Sequence, residues 1–81
     1  DTEGHEVDFL VQRAGRLHPV EVKVGTTVQP DFFQGLRYLA GQDESVADGL
    51  VVFGGDSRQT RQGLAAVPWR ALPDALETLR G

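Results

Sequence analysis

Hydrophobic and polar residues alternate over two adjoining stretches near the start of the chain. Val7, Phe9 and Val11 alternate with Glu6, Asp8, Leu10 and Gln12. Past Ala14-Gly15, His18, Val20, Val22 and Val24 alternate with Leu17, Pro19, Glu21 and Lys23. A period of two on both sides of a short glycine-containing link predicts a β-hairpin with strands at residues 6–12 and 17–24. The period then changes. Phe32, Phe33, Leu36, Leu39 and Ala40 recur at helical spacing behind Pro30 and Asp31. Proline suits a first helical turn and the acid complements the helix dipole, so residues 30–40 are expected to be helical, ending at Gly41 and packed over the apolar side of the sheet. Residues 49–53 form a continuous apolar run opened by glycine, the mark of a strand buried on both faces. Strand, helix and strand over residues 17–53 read as a parallel crossover. The polar stretch 54–63 reads as a loop, 64–67 as a short strand broken by Pro68-Trp69, and Leu72, Ala75, Leu76 and Leu79 as a last amphipathic helix from about Pro73. The expected fold is α/β, in the order β-β-α-β-β-α, with a mixed sheet.

The hairpin register decides the chemistry. If Ala14-Gly15 is a two-residue loop, Arg13 pairs with Arg16, Asp8 lies opposite Glu21, and Glu6 lies opposite Lys23. All four charged side chains then leave one face of the sheet, and Val7, Phe9, Val20 and Val22 leave the other. Carboxylates about 5 Å apart repel by roughly 3 kcal/mol at an effective dielectric near 20, which a divalent cation or the Lys23 ammonium would offset. A three-residue loop with Gly15 left-handed would instead set Asp8 opposite Val20. A polar hairpin face is also the ordinary mark of a solvated surface.

Asp8, twelve intervening residues and then Glu21-Val22-Lys23 resemble the PD-(D/E)xK nuclease signature, in which a strand aspartate precedes a Glu-x-Lys strand. The longer strings Gly4-His5-Glu6-Val7-Asp8-Phe9 and Pro19-Val20-Glu21-Val22-Lys23, with Gly35-Leu36, Gly49-Leu50-Val51-Val52 and Val67-Pro68-Trp69, resemble the C-terminal domain of a large group of prokaryotic AAA-type ATPases. That resemblance implies a restriction-endonuclease-like core, truncated here because folds of that type begin with a further helix and strand. It implies that the 81 residues are one domain, the C-terminal piece of a larger ATPase that binds ATP elsewhere. It further implies a Mg²⁺- or Mn²⁺-dependent DNA phosphodiesterase site. Asp8 and Glu21 would be metal carboxylates, Val22 would add its carbonyl, and Lys23 would stabilise the transition state. Glu6 would stand behind Lys23, and Gln34 would reach the phosphate from the helix. The alternative is a non-catalytic interaction module that keeps the fold, and this piece alone is expected to be inactive.

Composition narrows these readings. Eight cationic residues against twelve acidic ones give a net charge of −4, and Lys23 is the only lysine beside seven arginines. An acidic chain without a basic run is a poor autonomous DNA binder. With no cysteine there is no disulfide framework and no thiolate metal site, and no apolar run is long enough to span a membrane. Cytoplasmic residence follows as the default expectation. A truncated sheet with an open edge also predicts a homodimer. His5 and His18 are expected at the surface and not at a zinc site. Gly54-Gly55-Asp56 is expected to be a turn, Trp69 a core plug, and Gln34 and Arg37 to lie on the helix face away from the phenylalanines.

Overall fold

The computed structural model describes residues 7–79. Its strands are β1 (Phe9–Arg13), β2 (Arg16–Val22), β3 (Leu50–Phe53), β4 (Gln59–Arg61) and β5 (Leu64–Pro68), and its helices are α1 (Gln34–Gln42) and α2 (Leu72–Glu77). Single 3₁₀ turns, Pro30–Phe33 and Trp69–Ala71, lead into the two helices. The strands form one mixed sheet in the order β1-β2-β3-β5-β4. β2, β3 and β5 run parallel, and an antiparallel hairpin closes each side.

Both hairpins turn on two residues. Ala14 (φ 56°) and Gly15 (φ 77°) join β1 to β2 with Arg13 opposite Arg16, which is the two-residue register. Gln62 (φ 52°) and Gly63 (φ 84°) join β4 to β5 in the same way. Two successive positive φ values define the type I′ turn that matches strand twist. The first position favours asparagine, aspartate or glycine, and alanine there is strained by about 1 kcal/mol. Ala14→Asn is therefore expected to stabilise the protein by roughly 0.5–1 kcal/mol in urea denaturation, and an unchanged or lower midpoint would contradict the turn assignment.

The sequence order lacked β4. Gln59-Thr60-Arg61 has no apolar alternation and occupies a sheet edge, so it carries none of the periodicity that marks a strand. It lies within the stretch expected to be a loop. α1 also runs one residue past Gly41.

The sheet has an apolar cluster on each side. Phe32, Phe33 and Leu36 pack on Val51, Phe53, Leu64 and Ala66. On the opposite side Ala75 of α2 packs on Val20, Leu50, Val52 and Val67. The faces are therefore the reverse of the expected ones. α2 covers the side bearing Val20, and α1 covers the side bearing Glu21. Val7 joins the α1 cluster although it was expected beside Phe9, because the β1–β2 ladder ends at Phe9 opposite Val20 and the chain bends at Asp8.

Parallel pairing needs close approach at the start of β3. Gly49 has φ +75°, and a Cβ there would overlap the Pro19 carbonyl oxygen and lie 2.8 Å from Pro19 Cγ. Pro19 pairs with Leu10 and is buried. His18, expected at the surface, is 1% exposed. β2 becomes an interior strand once β3 pairs with it and α2 covers that face, and the imidazole Nε2–H donates to the Arg13 carbonyl at 3.1 Å. Trp69 reverses its expectation too. It is 54% exposed, because Pro68 ends β5 and the chain turns outward.

Candidate functional site

Asp8, Glu21, Val22 and Lys23 sit around the C-terminal end of β2, in open α/β sheets the usual end for ligands. β2 has one neighbour on each side there, but the two neighbours behave differently. On the β3 side the ladder continues, with Val22 opposite Val52 and the Lys23 N–H donating to the Val52 carbonyl at 2.8 Å. On the β1 side it stops one residue short. The Asp8 N–H reaches the Val20 carbonyl at 3.1 Å, and the Val22 N–H donates to Asp8 Oδ2 at 2.8 Å. The aspartate side chain thus replaces a backbone acceptor. Its carboxylate lies against the edge of β2 and does not stand on the face, which corrects the picture of four charges rising in parallel. The Val22 N–H therefore faces this edge, while the Lys23 N–H faces β3.

Glu21 is paired with Val51, on the face under α1, and its side chain is only 12% exposed. A solvated polar face is excluded at this position. Lys23 Nζ lies 3.9 Å from Glu21 Oε1 and 5.8 Å from the centre of the Phe32 ring, with its side chain 34% exposed. The ring supplies a cation–π contact within the usual 6 Å range. Nothing in the spacing of Lys23 and Phe32 announces that contact, since a whole turn separates them. Glycines brace the same strand ends. The Gly54 N–H donates to the Gly25 carbonyl at 2.9 Å, and a Cβ on Gly54 would lie 2.6 Å from the Val24 carbonyl oxygen. Gly54-Gly55 is therefore a packing device, set in a run of bends, a role that the expected turn did not include.

The other candidates separate from this corner. Gln34 is the exposed first residue of α1. Arg37 does not avoid the phenylalanines, for its guanidinium lies 5.5 Å from the Phe33 ring centre. Glu6 and His5 lie outside the described residues.

Among the described residues, no three His, Cys, Asp or Glu side chains form a metal cluster. Asp8, Glu21 and the Val22 carbonyl are an all-oxygen set with two carboxylates. That chemistry fits Mg²⁺, which takes one or two carboxylates and fills its octahedron with water and phosphate oxygens. It does not fit a closed zinc site, which needs four ligands rich in nitrogen or sulfur. No described helix is long and apolar enough to cross a membrane.

Comparison with curated proteins and with solved structures gives no significant match. The model of the family described as Domain of unknown function (DUF4143) matches residues 1–72, most of the chain, and the protein belongs to that family.

Proposed function

We propose that the domain is a nuclease-like module of an AAA-type ATPase, acting on DNA phosphodiesters through a divalent cation at Asp8, Glu21 and Val22. The observation that carries this reading is the placement of Glu21. Its carboxylate, 12% exposed beneath α1, is held 3.9 Å from the Lys23 ammonium, so an acid and a base stand together at the C-terminal end of β2. Stability alone would favour an apolar residue at that central register position, between Val20 and Val22. A charge held there is better explained by a task.

In this reading the cation supplies Lewis-acid polarisation of the phosphoryl oxygens. Water adds to phosphorus, the bond to one ester oxygen breaks, and the leaving oxygen takes up a proton. Asp8 is held in place by the Val22 N–H and presents its other carboxylate oxygen. Glu21 contributes the second carboxylate. Lys23, steadied on Phe32, places a positive charge against the additional negative charge of the transition state.

Mn²⁺ titration followed by electron paramagnetic resonance tests the site directly. One saturable site is expected, with affinity lowered at least about tenfold by Glu21→Gln. Absence of saturable binding, or equal binding by the variant, would remove the assignment.

A second reading, a non-catalytic interaction module, is favoured by the β1 edge. Phe9 and Leu10 are 55% and 53% exposed and border an apolar cavity of about 300 Å³ with Leu72 and Leu76. Antiparallel pairing of two β1 strands about Leu10 sets each Phe9 against a Val11, so a second copy is the occupant that this edge fits. In that case the protein sediments as a dimer and the Mn²⁺ titration is blank. A monomer at every concentration sinks the interaction reading.

A further inference from the structure

The 3₁₀ turn Pro30–Phe33, the first turn of α1 and the β4–β5 hairpin border a second cavity, of about 270 Å³, distant in the strand order from the β1 edge. Its polar wall consists of Arg37, Arg61, Gln62 and Gln29, and Phe33 and Pro30 contribute apolar surface. Among the described residues no carboxylate lines it. In a chain with twelve acidic residues that is an uneven distribution. Arg13, Lys23 and Arg70 each have an acidic partner, Glu77, Glu21 and Asp56 respectively. Among the described residues, the hydrogen bonds of Arg37 and Arg61 go only to neutral oxygens.

Those bonds also fix the two side chains. Arg37 Nη2 donates to the Arg61 carbonyl at 3.3 Å, with its guanidinium 5.5 Å from the Phe33 ring centre. Arg61 donates through Nη1 to the Thr60 carbonyl at 3.0 Å and through Nη2 to Gln59 Oε1 at 2.6 Å. Arginine offers five N–H donors, so each group retains several for a ligand. Two arginines thus line one cavity with no acidic partner of their own, and the ligand that complements them is an anion.

We propose that this cavity binds a phosphate group. Two guanidinium groups and two side-chain amides offer more donors than the two oxygens of a carboxylate can use, whereas a phosphate presents more oxygens to the same fork geometry. The cavity beside Arg16 and Arg58 is the weaker candidate. Arg16 is engaged with the Glu44 and Val46 carbonyls, and Asp48 stands in that wall. The phosphate could be terminal, on a mononucleotide, or an internal diester of a nucleic-acid strand. The internal form rests on the proposed function, in which this cavity would grip the strand away from the metal corner, while the phosphate site itself does not need a metal. Phe32 and Phe33 are consecutive residues of one turn, and they carry Lys23 and Arg37 respectively.

The test is a nuclear magnetic resonance titration of the whole chain in excess EDTA. Three probes are used: inorganic phosphate, thymidine 5′-monophosphate, and an oligothymidylate without terminal phosphates. The expected result is a set of shifts centred on Arg37, Arg61 and Gln62, with affinity about tenfold weaker in Arg37→Gln and in Arg61→Gln. Tighter binding of the oligonucleotide identifies an internal diester, with a salt slope that falls by about one per arginine removed. Tighter binding of the monophosphate identifies a terminal one. Because the titration is run in EDTA, a failed metal site leaves this result standing. Shifts with none of the probes, unchanged affinity in the Arg37→Gln/Arg61→Gln double variant, or an equal loss in the control Arg58→Gln would overturn the proposal.

Discussion

Replacing Gly49 with alanine is expected to remove roughly 2–5 kcal/mol of stability, a large part of the total. Two costs combine. A non-glycine residue at φ +75° carries left-handed strain of about 1–2 kcal/mol. The new methyl group would also collide with the backbone carbonyl of Pro19, which cannot swing away as a flexible side chain could, and overpacking of this kind costs typically 1–3 kcal/mol. A domain of this size has a total stability of about 4–12 kcal/mol at 0.05–0.15 kcal/mol per residue. The matched control is Gly41→Ala. Gly41 lies in α1, and a Cβ there meets nothing within 4 Å, so the substitution should raise stability by up to about 1 kcal/mol through helix propensity. Urea denaturation followed by circular dichroism reads both. A Gly49→Ala midpoint close to that of the unaltered protein would mean that the β2–β3 approach is not as described.

The second large effect concerns Asp8, whose carboxylate serves the backbone and, in the proposed function, the metal. Asparagine and alanine separate the two roles. Asp8→Asn retains an oxygen that can accept the Val22 N–H, so stability should change by no more than a few tenths of a kcal/mol. Asp8→Ala removes the acceptor at an exposed edge and should cost about 1 kcal/mol. For metal-dependent nicking of supercoiled DNA by the full-length protein, the two variants should instead be alike. Each should fall by on the order of 10²–10³-fold, the equivalent of a few kcal/mol of lost transition-state stabilisation. Cleavage that persists in Asp8→Asn would refute the catalytic role while leaving the structural one intact.

The parts of the fold that could be read in the sequence were those whose signal is local. The alternation around Ala14-Gly15 marked the hairpin but left two registers open, of which the two-residue one is present, and the glycine-bounded run at 49–53 marked the central parallel strand. The Pro30-Asp31 start and the spacing of Phe32, Phe33 and Leu36 marked α1. Features that depend on the whole sheet were not legible. Which face each helix covers follows from the connection paths, so the sequence pattern could identify Val20 and Glu21 as belonging to opposite faces but not which helix lies over each. His18 was misplaced for the same reason, since burial of β2 comes from β3 and α2. β4 escaped because polar edge strands need no apolar period. At the candidate site, the nearness of Asp8 to the end of β2 was legible from register, although Asp8 bonds to Val20 and Val22 and is not paired opposite Glu21 as expected. The in-plane seat of the Asp8 carboxylate was not, because it depends on the ladder ending one pair early.

That early ending has a kinetic corollary. Glu21 and Lys23 are anchored in the parallel core, whereas Asp8 is attached through the terminal residue of an edge strand, the part of a sheet that opens at least free-energy cost. The two halves of the corner can therefore come apart without global unfolding. The Val22 amide proton, whose acceptor is a side chain rather than a ladder carbonyl, records each opening as exchange with deuterated solvent. Whatever ligand clamps Asp8 would slow that exchange selectively, leaving the Lys23 amide on the β3 side at its former rate.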